Sequence, residues 1–541
     1  MAMSKRWRAW GALVALGLLV LGVVTPAVAT SGGAVGSPAV RPVPVQILAI
    51  NDFHGQLGPG RTVDGRPVGS APVLAAYLKA REAQLPQGTL LVHAGDAVGA
   101  SPPISALLQD EPTIEFLNYM GFDVGTVGNH EFDEGVAELL RLIRGGRHPK
   151  TGYFPGAAFP YTVANVVDAE TGDPILPPYV VKAVNGVRLG FIGVVTPETP
   201  TIVTPTGVAG LAFLDPAEAV NRWVPELKRQ GVRAVVVLAH LGNDPAVPDE
   251  IVGPVADLAR RVDDEVDIII SGHTHSYIDG WVDGKLIVQA YSYGTAFADV
   301  DLTVDPSTGD VLVATAEVVT TWADEVTPDP GVQALVDSYQ EKVAPLVERP
   351  VAVAETAITR DPSPAGESAL GNLIADAQRW KMGTDFAFMN PGGIRADLDA
   401  GPITWGELYA VQPFGNDLVK MTLTGEQIYR LLNQQWQEGR TRFLQISGLT
   451  YTYDESRPWG DRILEVRLPD GRPIDREARY TVTVNSFLAA GGDNFTVLTE
   501  GTDRVVGPVD LDALVEYLEQ MSGPVTARIE GRIQKVGSGG N

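Results

Sequence analysis

The 541-residue sequence contains no cysteine, which excludes disulfide bonds and a lipid-modified cysteine. Basic residues are also scarce, because 41 Lys and Arg stand against 66 Asp and Glu, for a formal net charge of −25. Binding a nucleic-acid polymer regardless of sequence requires a basic surface, so this balance argues against such a partner. It suits a soluble, secreted protein.

Long apolar runs are missing beyond the N-terminus. A basic segment at residues 5–8 precedes an apolar stretch at 10–24, and residues 27–29 have the small-x-small pattern of a signal-peptidase site. The stretch is shorter than the ~20 residues of a membrane-spanning helix. We therefore predict a signal peptide over 1–29, cleavage near Ala29, no stable membrane anchor and a secreted or cell-envelope location. An exported chain without cysteine is more typical of bacteria than of animals.

Histidine is rare and unevenly distributed, since there are seven in the chain and none after residue 275. Five of them follow predicted strands, within three residues of a glycine: His54, His130, His240, His273 and His275. Random placement would rarely give this pattern. His93 lies inside a predicted strand, where a packed core histidine is the better interpretation, and His148 lies in a basic loop and is given no role.

The first half of the chain alternates apolar strands, polar strand ends and helices, which predicts a layered α/β domain. Strands are predicted at 45–50, 90–93, 123–127, 187–195, 234–238 and 266–270, helices at 71–83, 113–120, 135–143 and 216–230, and a loop at 147–160. Further strands are predicted within 286–302, and they do not end in residues of a type that binds metals. Ligand sites in such folds lie at the carboxyl ends of the strands.

Five of these strand ends carry Asp, Asn or His side chains. Asp52 and His54 are two residues apart, and an extended backbone would direct both to one side. After the third strand, Asn129 offers an oxygen suited to a metal, His130 a nitrogen suited to proton transfer, and Asp133 a carboxylate that can orient the imidazole. Taken alone, this segment is explained equally well as a polar loop.

The complete set of side chains favours a metal site. Carboxylates, imidazoles and an amide suit Zn, Mn, Fe or Ni better than Ca or Mg. The set is too large for one ion, whereas two ions sharing a bridging aspartate would account for it. Two-metal sites stabilise the attacking and leaving oxygen atoms of a phosphoryl displacement.

These segments together resemble the calcineurin-like metallophosphoesterases, in that family's order. The matching blocks are Asp52-x-His54, Gly95-Asp96, Gly128-Asn129-His130-Glu131, His240 and Gly272-His273-x-His275. The resemblance implies one divalent ion on Asp52, His54 and His275, a second on Asn129, His240 and His273, and Asp96 as the bridge. The ions would be Zn, Mn or similar.

The same resemblance implies a mechanism, in which a hydroxide held between the ions attacks phosphorus in line. His130 is outside the implied ligand set and would stabilise or protonate the leaving side, with Asp133 orienting it. A metal site without catalytic activity is the alternative, and the presence of both His130 and Asp133 argues against it.

The second half has no histidine and contains different motifs. A helix at 329–348 could connect two domains, and glycine-rich loops beyond it carry five further candidates: Asn390, Arg395, Phe414, Phe487 and Asp493. A flat heterocycle between the two phenylalanines would suit these groups, because aromatic stacking accepts any base. From the residues alone, two core phenylalanines and glycine turns are an equally good explanation.

These loops resemble the C-terminal domain of secreted bacterial 5′-nucleotidases, and the likeness to that family covers residues 44–535. It implies that Phe414 and Phe487 stack on the base, that Asn390 and Arg395 contact ribose or phosphate, and that Asp493 contacts ribose. One departure is that residues 362–367 lack the arginines that bind substrate phosphate in many relatives. Arg360 is close enough in sequence to replace them, and the preferred phosphate is left open.

The predicted organisation is a two-domain α/β protein. It comprises a signal peptide (1–29), a flexible tether (30–43), a four-layer α/β/β/α metallophosphoesterase domain (44–325), a bridging helix (326–349), a separate α/β (α+β) nucleotide-binding domain (350–535) and a disordered tail (536–541). The predicted partner is a small-molecule nucleotide, the oligomeric state is left open, and the domains are expected to rotate about the bridging helix.

The predicted activity is hydrolysis of nucleoside 5′-phosphates, with di- and triphosphates or nucleotide sugars as further substrates. A 2′,3′-cyclic-nucleotide 2′-phosphodiesterase with 3′-nucleotidase activity shares the two-domain plan and is the alternative enzyme. The alternative from a different functional class is a surface or adhesion protein that binds nucleotide and has only weak catalytic activity.

Overall fold

The computed structural model describes residues 41–63, 65–244, 247 and 250–536. The predicted signal peptide lies outside these residues, as do the tether up to residue 40 and the tail from residue 537. The described residues from Arg41 onward belong to one compact unit. No helix within them is long and apolar enough to cross a membrane.

The N-terminal half contains the strands and helices of a layered α/β domain. The strands are β1 (Val43–Ile50), β2 (Arg61–Val63), β3 (Arg66–Val68), β4 (Thr89–His93), β5 (Val124–Thr126), β6 (Gly146–His148), β7 (Gly152–Phe154), β8 (Tyr161–Thr162), β9 (Val166–Asp168), β10 (Val180–Val184), β11 (Val187–Val195), β12 (Leu211–Phe213), β13 (Ala234–His240), β14 (Val266–Ser271), β15 (Tyr277–Val282), β16 (Lys285–Ala290), β17 (Ala296–Val304) and β18 (Val311–Thr320). The helices are α1 (Ala71–Glu82), α2 (Pro103–Ala106), α3 (Glu111–Met120), α4 (Val136–Arg144), α5 (Thr199–Ile202), α6 (Pro216–Arg229) and α7 (Pro254–Arg261).

Two six-stranded sheets form the centre of this half, in the orders β18-β17-β1-β4-β5-β8 and β10-β11-β13-β14-β16-β15. Alternate residues of facing strands, such as Ile47 of β1 and Phe191 of β11, fill the core between the sheets. The outer faces are covered by α6 and α7 on one side and by α1 and α3 on the other. Strands buried on both faces explain the continuous apolar runs in the sequence. The predicted four-layer α/β/β/α arrangement is confirmed.

The strand register brings the predicted site together. β1, β4 and β5 run parallel in one sheet, as do β11, β13 and β14 in the other. Carboxyl ends of parallel strands meet at one edge, so the polar segments after Ile50, His93, Thr126, His240 and Ser271 converge there.

The C-terminal half contains a bridging helix and a second layered domain. Its helices are α8 (Pro330–Val347), α9 (Ala369–Met382), α10 (Trp405–Val411), α11 (Gly425–Asn433), α12 (Ser486–Ala489) and α13 (Asp510–Glu519). Its strands are β19 (Pro350–Ala354), β20 (Phe386–Met389), β21 (Gly401–Thr404), β22 (Asp417–Thr424), β23 (Trp436–Gln437), β24 (Arg440–Thr441), β25 (Gln445–Ser447), β26 (Thr450–Tyr453), β27 (Ile463–Arg467), β28 (Arg479–Asn485), β29 (Thr502–Val509) and β30 (Ile533–Lys535).

A five-stranded sheet in the order β25-β20-β28-β22-β29 organises this half. β20 and β28 are parallel neighbours, so Asn390 and Phe487 follow strand ends at the same edge. The helix predicted at 329–348 is α8, and its apolar side packs into the core of the N-terminal half through Val332, Val336 and Val343.

Two local predictions were wrong. Residues 147–160 were predicted as a loop, but they contain the hairpin of β6 and β7, whose three-residue strands are too short for a periodic pattern to be visible. Phe487 was predicted in a glycine-rich loop, but it lies on the short helix α12, directly after β28. The side chain of Asn485 begins this helix by accepting a hydrogen bond from the Leu488 amide.

His93 is the packed core histidine that the sequence predicted, and it is 1% exposed. Its ring contacts Phe122, Phe159 and Tyr161, and within the described residues neither ring nitrogen has a hydrogen-bond partner. Burial, aided by the positive charge of His240, lowers the pKa of His93 to about 3.

Replacing His93 with leucine is expected to raise the free energy of unfolding more at pH 5 than at pH 8. The unfolded chain binds a proton at this histidine below about pH 6.5, whereas the native state does so only near pH 3. Wild-type stability therefore falls as the pH drops through this window, by about 2 kcal/mol at pH 5 from this residue. Urea denaturation at both pH values measures the difference. The control is His148→Leu in β6, and an equal gain at both pH values for His93→Leu would contradict the prediction.

Candidate active site

The predicted metal ligands come together at the edge where the strands of both sheets end. Five of them have a left-handed backbone, with φ of +49° at Asp52, His54 and Asp96, +79° at His273 and +53° at His275. Residues other than glycine rarely adopt this conformation, which costs energy and is concentrated at functional sites. The expectation of an extended backbone at Asp52 and His54 was wrong, because the chain turns immediately after β1.

A first cluster contains Asp52, His54 and His275. His275 Nε2 lies 3.3 Å from Asp52 Oδ1 and 3.3 Å from His54 Nε2. Asp52 and His54 are fully buried, while His275 is partly open to the cavity. Three ligand atoms therefore face one point.

A second cluster contains Asp96, His240 and His273. His240 Nε2 lies 3.0 Å from Asp96 Oδ2, and His273 Nδ1 lies 3.0 Å from Asn129 Oδ1. Asp96 Oδ2 is also 3.7 Å from His54 Nε2 of the first cluster. Asp96 thus occupies the position between the clusters that a bridging ligand requires.

The hydrogen bonds around the imidazoles fit a bound cation. His54 Nδ1 donates a hydrogen bond to the Gly99 carbonyl at 2.8 Å, and His240 Nδ1 donates one to the Ala94 carbonyl at 2.9 Å. The Nε2 atoms then face the Asp96 carboxylate, an arrangement that a proton or a metal cation between nitrogen and oxygen stabilises. In metal-binding histidines, a hydrogen bond from the ring nitrogen that does not bind the metal orients the imidazole in the same way.

Charge in the cluster supports the same interpretation. Burial opposes a positive charge on His240, but the carboxylates of Asp96 and Asp52 outweigh it and raise the pKa of His240 to about 10. A site that stabilises a proton in this way would also stabilise a metal cation. Gly128 leaves the necessary space, because a Cβ there would lie 2.2 Å from Asp96 Oδ1.

Glu131 holds the two loops together, a role that the sequence analysis did not assign. Its carboxylate accepts hydrogen bonds from the backbone amides of Gly128 (2.5 Å), Asp96 (2.9 Å) and Ala97 (2.8 Å). Burial raises its pKa to about 7, with a further contribution from the negative charge of Asp96. Its place in the Asn129-His130-Glu131 segment is the only sequence signal for it.

His130 lies beside the clusters, with its ring centroid 5.0 Å from that of His54. Its Nδ1 is 2.8 Å from Asp133 Oδ2, and its backbone amide donates to Asp96 Oδ1 at 2.9 Å. Burial lowers the pKa of His130, but the negative charges of Asp133 and Asp96 outweigh that effect and raise it. The predicted pairing of His130 with Asp133 is therefore present in the structure.

Tyr293 was missed by the sequence analysis, which predicted no functional residue at the ends of the strands within 286–302. Its ring lies 5.5 Å from His54 and 5.1 Å from His275, and its backbone amide donates to the Asp52 carbonyl. Tyr293 has φ of +61°, a strained conformation for a bulky residue that no sequence pattern indicates.

A cavity of about 430 Å³ lies between these groups and the C-terminal half. All the predicted substrate residues except Arg360 line it, namely Asn390, Arg395, Phe414, Phe487 and Asp493. Phe414 stacks on His130 at a centroid distance of 5.8 Å and an angle of 15°. Phe487 lies against Gly492, where a Cβ would come within 2.5 Å of its ring.

Asp493 is held by partners that the sequence did not indicate. Arg442 Nε lies 3.1 Å from one carboxylate oxygen, and Asn390 Nδ2 donates to the other at 3.1 Å. Asn485 in turn donates to Asn390 Oδ1 at 2.9 Å. A second arginine, Arg440, forms an ion pair of 2.7 Å with Glu198 of the N-terminal half.

Comparisons with known proteins match both halves. Residues 45–277 match the family model for calcineurin-like phosphoesterases, and residues 350–500 match the model for the C-terminal domain of 5′-nucleotidases. A crystal structure of a 5′-nucleotidase precursor from Thermus thermophilus superposes with a TM-score of 0.79 and 33% identity, over 92% of this chain and 100% of that one.

Two curated relatives are longer than this chain. Endonuclease YhcR of Bacillus subtilis is 43% identical over 91% of this chain and 41% of its own length. Cell wall protein Lmo0130 of Listeria monocytogenes is 36% identical over 95% of this chain and 72% of its own length. The chain thus spans less than half of the Bacillus relative.

Proposed function

Because this chain belongs to the family that joins a calcineurin-like phosphoesterase domain to a 5′-nucleotidase C-terminal domain, we propose that it is a metal-dependent phosphohydrolase acting on nucleoside 5′-phosphates. One observation carries the proposal: members of both Asp/His clusters and the His130–Asp133 pair line a single cavity together with Phe414, Phe487 and Asp493.

Asp52, His54 and His275 would hold one divalent ion, and Asn129, His240 and His273 the other, with Asp96 shared. These are nitrogen and oxygen donors, which suit Zn or Mn. When bound, the two ions would activate water and neutralise charge on the phosphoryl group.

The protein side chains would supply the remaining functions. His130 has a raised pKa and is oriented by Asp133, so it can carry a proton to the leaving oxygen. Phe487 offers a ring face to the base, and Asp493, fixed by Arg442 and Asn390, can accept a hydrogen bond from a ribose hydroxyl. Arg395 lies above Phe414 and can bind phosphate.

We also propose that the protein acts outside the cytoplasm, after cleavage of the predicted signal peptide near Ala29. The cell-wall name of the Listeria relative supports this location.

A second candidate is hydrolysis of phosphodiesters, including 2′,3′-cyclic nucleotides. The relative with 43% identity is named an endonuclease, and endonucleases cleave phosphodiesters. The metal clusters and His130 would serve either reaction, since only the position of the leaving oxygen differs.

The test is hydrolysis by the mature protein loaded with Zn, Mn or Co, followed as phosphate release where a terminal phosphate is cleaved and as formation of the nucleoside monophosphate or aryl alcohol where a diester or pyrophosphate bond is cleaved. The substrates are AMP, ATP, a nucleotide sugar, 3′-AMP, 2′,3′-cyclic AMP and an aryl phosphate diester. We expect faster turnover of the 5′ compounds, because the base and ribose would be bound in the C-terminal half. Faster turnover of the cyclic and 3′ compounds would establish the second candidate, and no turnover of any compound would refute both.

A further inference from the structure

Phe414, one of the two rings proposed to stack on the base, receives little support from apolar packing. It lies in the segment 412–416, between α10 and β22. The other ring, Phe487, packs against the core of the C-terminal half. Phe414 is not part of the apolar cores that the described residues form, and its ring contacts His130 and the guanidinium of Arg395 instead. Other contacts must therefore hold this segment in place.

Asp510 contacts both ends of the segment. Its side chain contacts the first residue, because Gln412 Nε2 donates to Asp510 Oδ2 at 3.3 Å. Its backbone amide contacts the last residue, since it donates to the Asn416 carbonyl at 2.8 Å. Gly415, between these ends, is exposed and has φ of +60°, so the chain turns there. One residue thus holds both ends of the turn that carries Phe414.

These contacts are shielded from water. Asp510 is 2% exposed, Gln412 1% and Asn416 8%. Among the described residues, Gln412 Oε1 has no hydrogen-bond partner, so this side chain depends on Asp510 for its hydrogen bond. Loss of the carboxyl would leave the whole amide buried and unpaired. That costs free energy, which the chain can recover by moving the segment until water reaches the amide.

The place of Asp510 at the start of α13 does not by itself explain the contact. One carboxylate oxygen, Oδ1, accepts from the Leu511 amide at 2.8 Å, and an acidic residue at a helix start is favourable in any case. The other oxygen, Oδ2, is turned away from the helix towards Gln412. Asp512, in the same helical turn, is exposed. Burial and the contact with the segment therefore distinguish Asp510 from its neighbour.

The charge of Asp510 also fits a structural contact. Burial raises the pKa of Asp510 to about 7, and the negative charges of Asp417 and Asp512 raise it as well. The carboxyl is therefore partly neutral near pH 7. An amide of the same shape, which offers an oxygen acceptor, should be able to replace it.

We propose that Asp510 is a positioning residue for the base: it holds the segment 412–416 so that the Phe414 ring faces the cavity. The inference rests on the proposed function and adds to it a residue that touches no substrate, because Asp510 is not among the residues that line the cavity. Base recognition would then depend on a contact with α13, whereas the metal clusters and His130 would not.

The test compares AMP with ribose 5-phosphate, which lacks a base, in steady-state kinetics of the metal-loaded mature protein. In Asp510→Ala, the KM for AMP should rise about fivefold to a hundredfold, the range for one stacked base. The kcat for AMP should change little, because the groups around the metal clusters keep their partners. The kcat/KM for ribose 5-phosphate should stay close to the wild-type value. A loss of equal size for both substrates, or no change in either, would overturn the proposal.

Two further variants separate the contact from the helix start. Asp510→Asn keeps the shape and an acceptor oxygen, so it should restore most of the affinity for AMP. Asp512→Ala is the matched control, because it removes an acidic residue from the same turn of α13 without contacting the segment, and its KM for AMP should equal that of wild type. The same selective loss in Asp512→Ala would assign the effect to the helix start and overturn the proposal.

Gln412→Ala removes the side-chain contact from the other side, and it serves if Asp510→Ala does not fold. It should also raise the KM for AMP without a matching loss for ribose 5-phosphate. An unchanged KM for AMP in this variant would overturn the proposal.

A double variant tests whether the effect passes through the aromatic ring. Once Phe414→Ala has removed the ring, adding Asp510→Ala should raise the KM for AMP no further, because nothing is left to position. Two residues that act through one group give non-additive effects of this kind. Fully additive losses would show that Asp510 acts by another route and would overturn the proposal.

Failure of the proposed function would give a different result. If the wild-type protein neither binds nor hydrolyses AMP or ribose 5-phosphate, that function is refuted. Amide hydrogen exchange then decides the inference, because it measures the order of residues 412–416 without any substrate. Faster exchange of this segment in Asp510→Ala than in Asp512→Ala, with β22 unchanged, would support the positioning role, and equal exchange would overturn it.

Discussion

Replacement of His130 with alanine is expected to lower kcat by about a hundredfold to ten-thousandfold, the usual contribution of a general acid or base. His130 lies outside the two proposed ligand sets, and its orientation comes from the 2.8 Å contact with Asp133. Nucleotide binding should persist, because Asp493, Asn390 and Phe487 are held by other partners. Single-turnover kinetics and calorimetry would separate the two effects.

Asp133→Asn tests the same histidine by a smaller change, because it leaves His130 in place and alters only its partner. The amide can still contact the imidazole, but the negative charge that raises the pKa of His130 is gone. If protonated His130 donates to the leaving group, activity declines as the pH rises through its pKa, and the variant moves that decline to lower pH. A normal kcat in His130→Ala, or an unshifted pH profile in Asp133→Asn, would contradict the assigned roles.

Replacement of Asp96 with asparagine is expected to abolish measurable turnover and to reduce the number of bound metal ions. Asp96 Oδ2 lies between His240 and His54, so one change weakens both clusters. Wild-type protein should gain about 2.7 kcal/mol of stability when a free metal ion is present at 100 times its dissociation constant. The variant should lose most of that gain. Metal analysis and thermal unfolding with and without a chelator measure these effects.

The matched control is Asp299→Asn. Asp299 is also a buried carboxylate and is 4% exposed, but it lies on β17 and pairs with Arg81. The Asp299→Asn variant should be less stable but should still bind metal. It therefore distinguishes the effect of losing a buried carboxylate from the effect of losing a metal ligand. Two ions retained at full stoichiometry in Asp96→Asn would exclude Asp96 as the bridge.

Much of the fold was predictable from local patterns. Apolar runs such as 187–195 and 234–238 predicted strands, and the structure extends the second to His240. Helices cover the outer faces of both sheets, which gives the four-layer arrangement. Short elements such as β6 and β7 were not predictable, because three residues give no usable period. The domain boundaries and the signal peptide stay predictions.

The sequence by itself determined which side chains could form the site. Metal-ligand residue types follow apolar strands, and parallel strands of one sheet end at a common edge. Asp52, Asp96 and Asn129 follow strands of one sheet, and His240 and His273 follow strands of the other, so the packing of the two sheets brought these groups together. His130 and Asp133 are three residues apart, which is close enough for sequence to predict their contact.

Only the tertiary structure decided how these groups pair and what surrounds them. His54 and His275 meet across 221 positions of sequence, and Arg442 reaches Asp493 through folding of the C-terminal half. Tyr293 carries no motif, since its position beside His54 and His275 depends on a left-handed turn. Such contacts arise from packing between distant segments, which residue type and spacing do not encode.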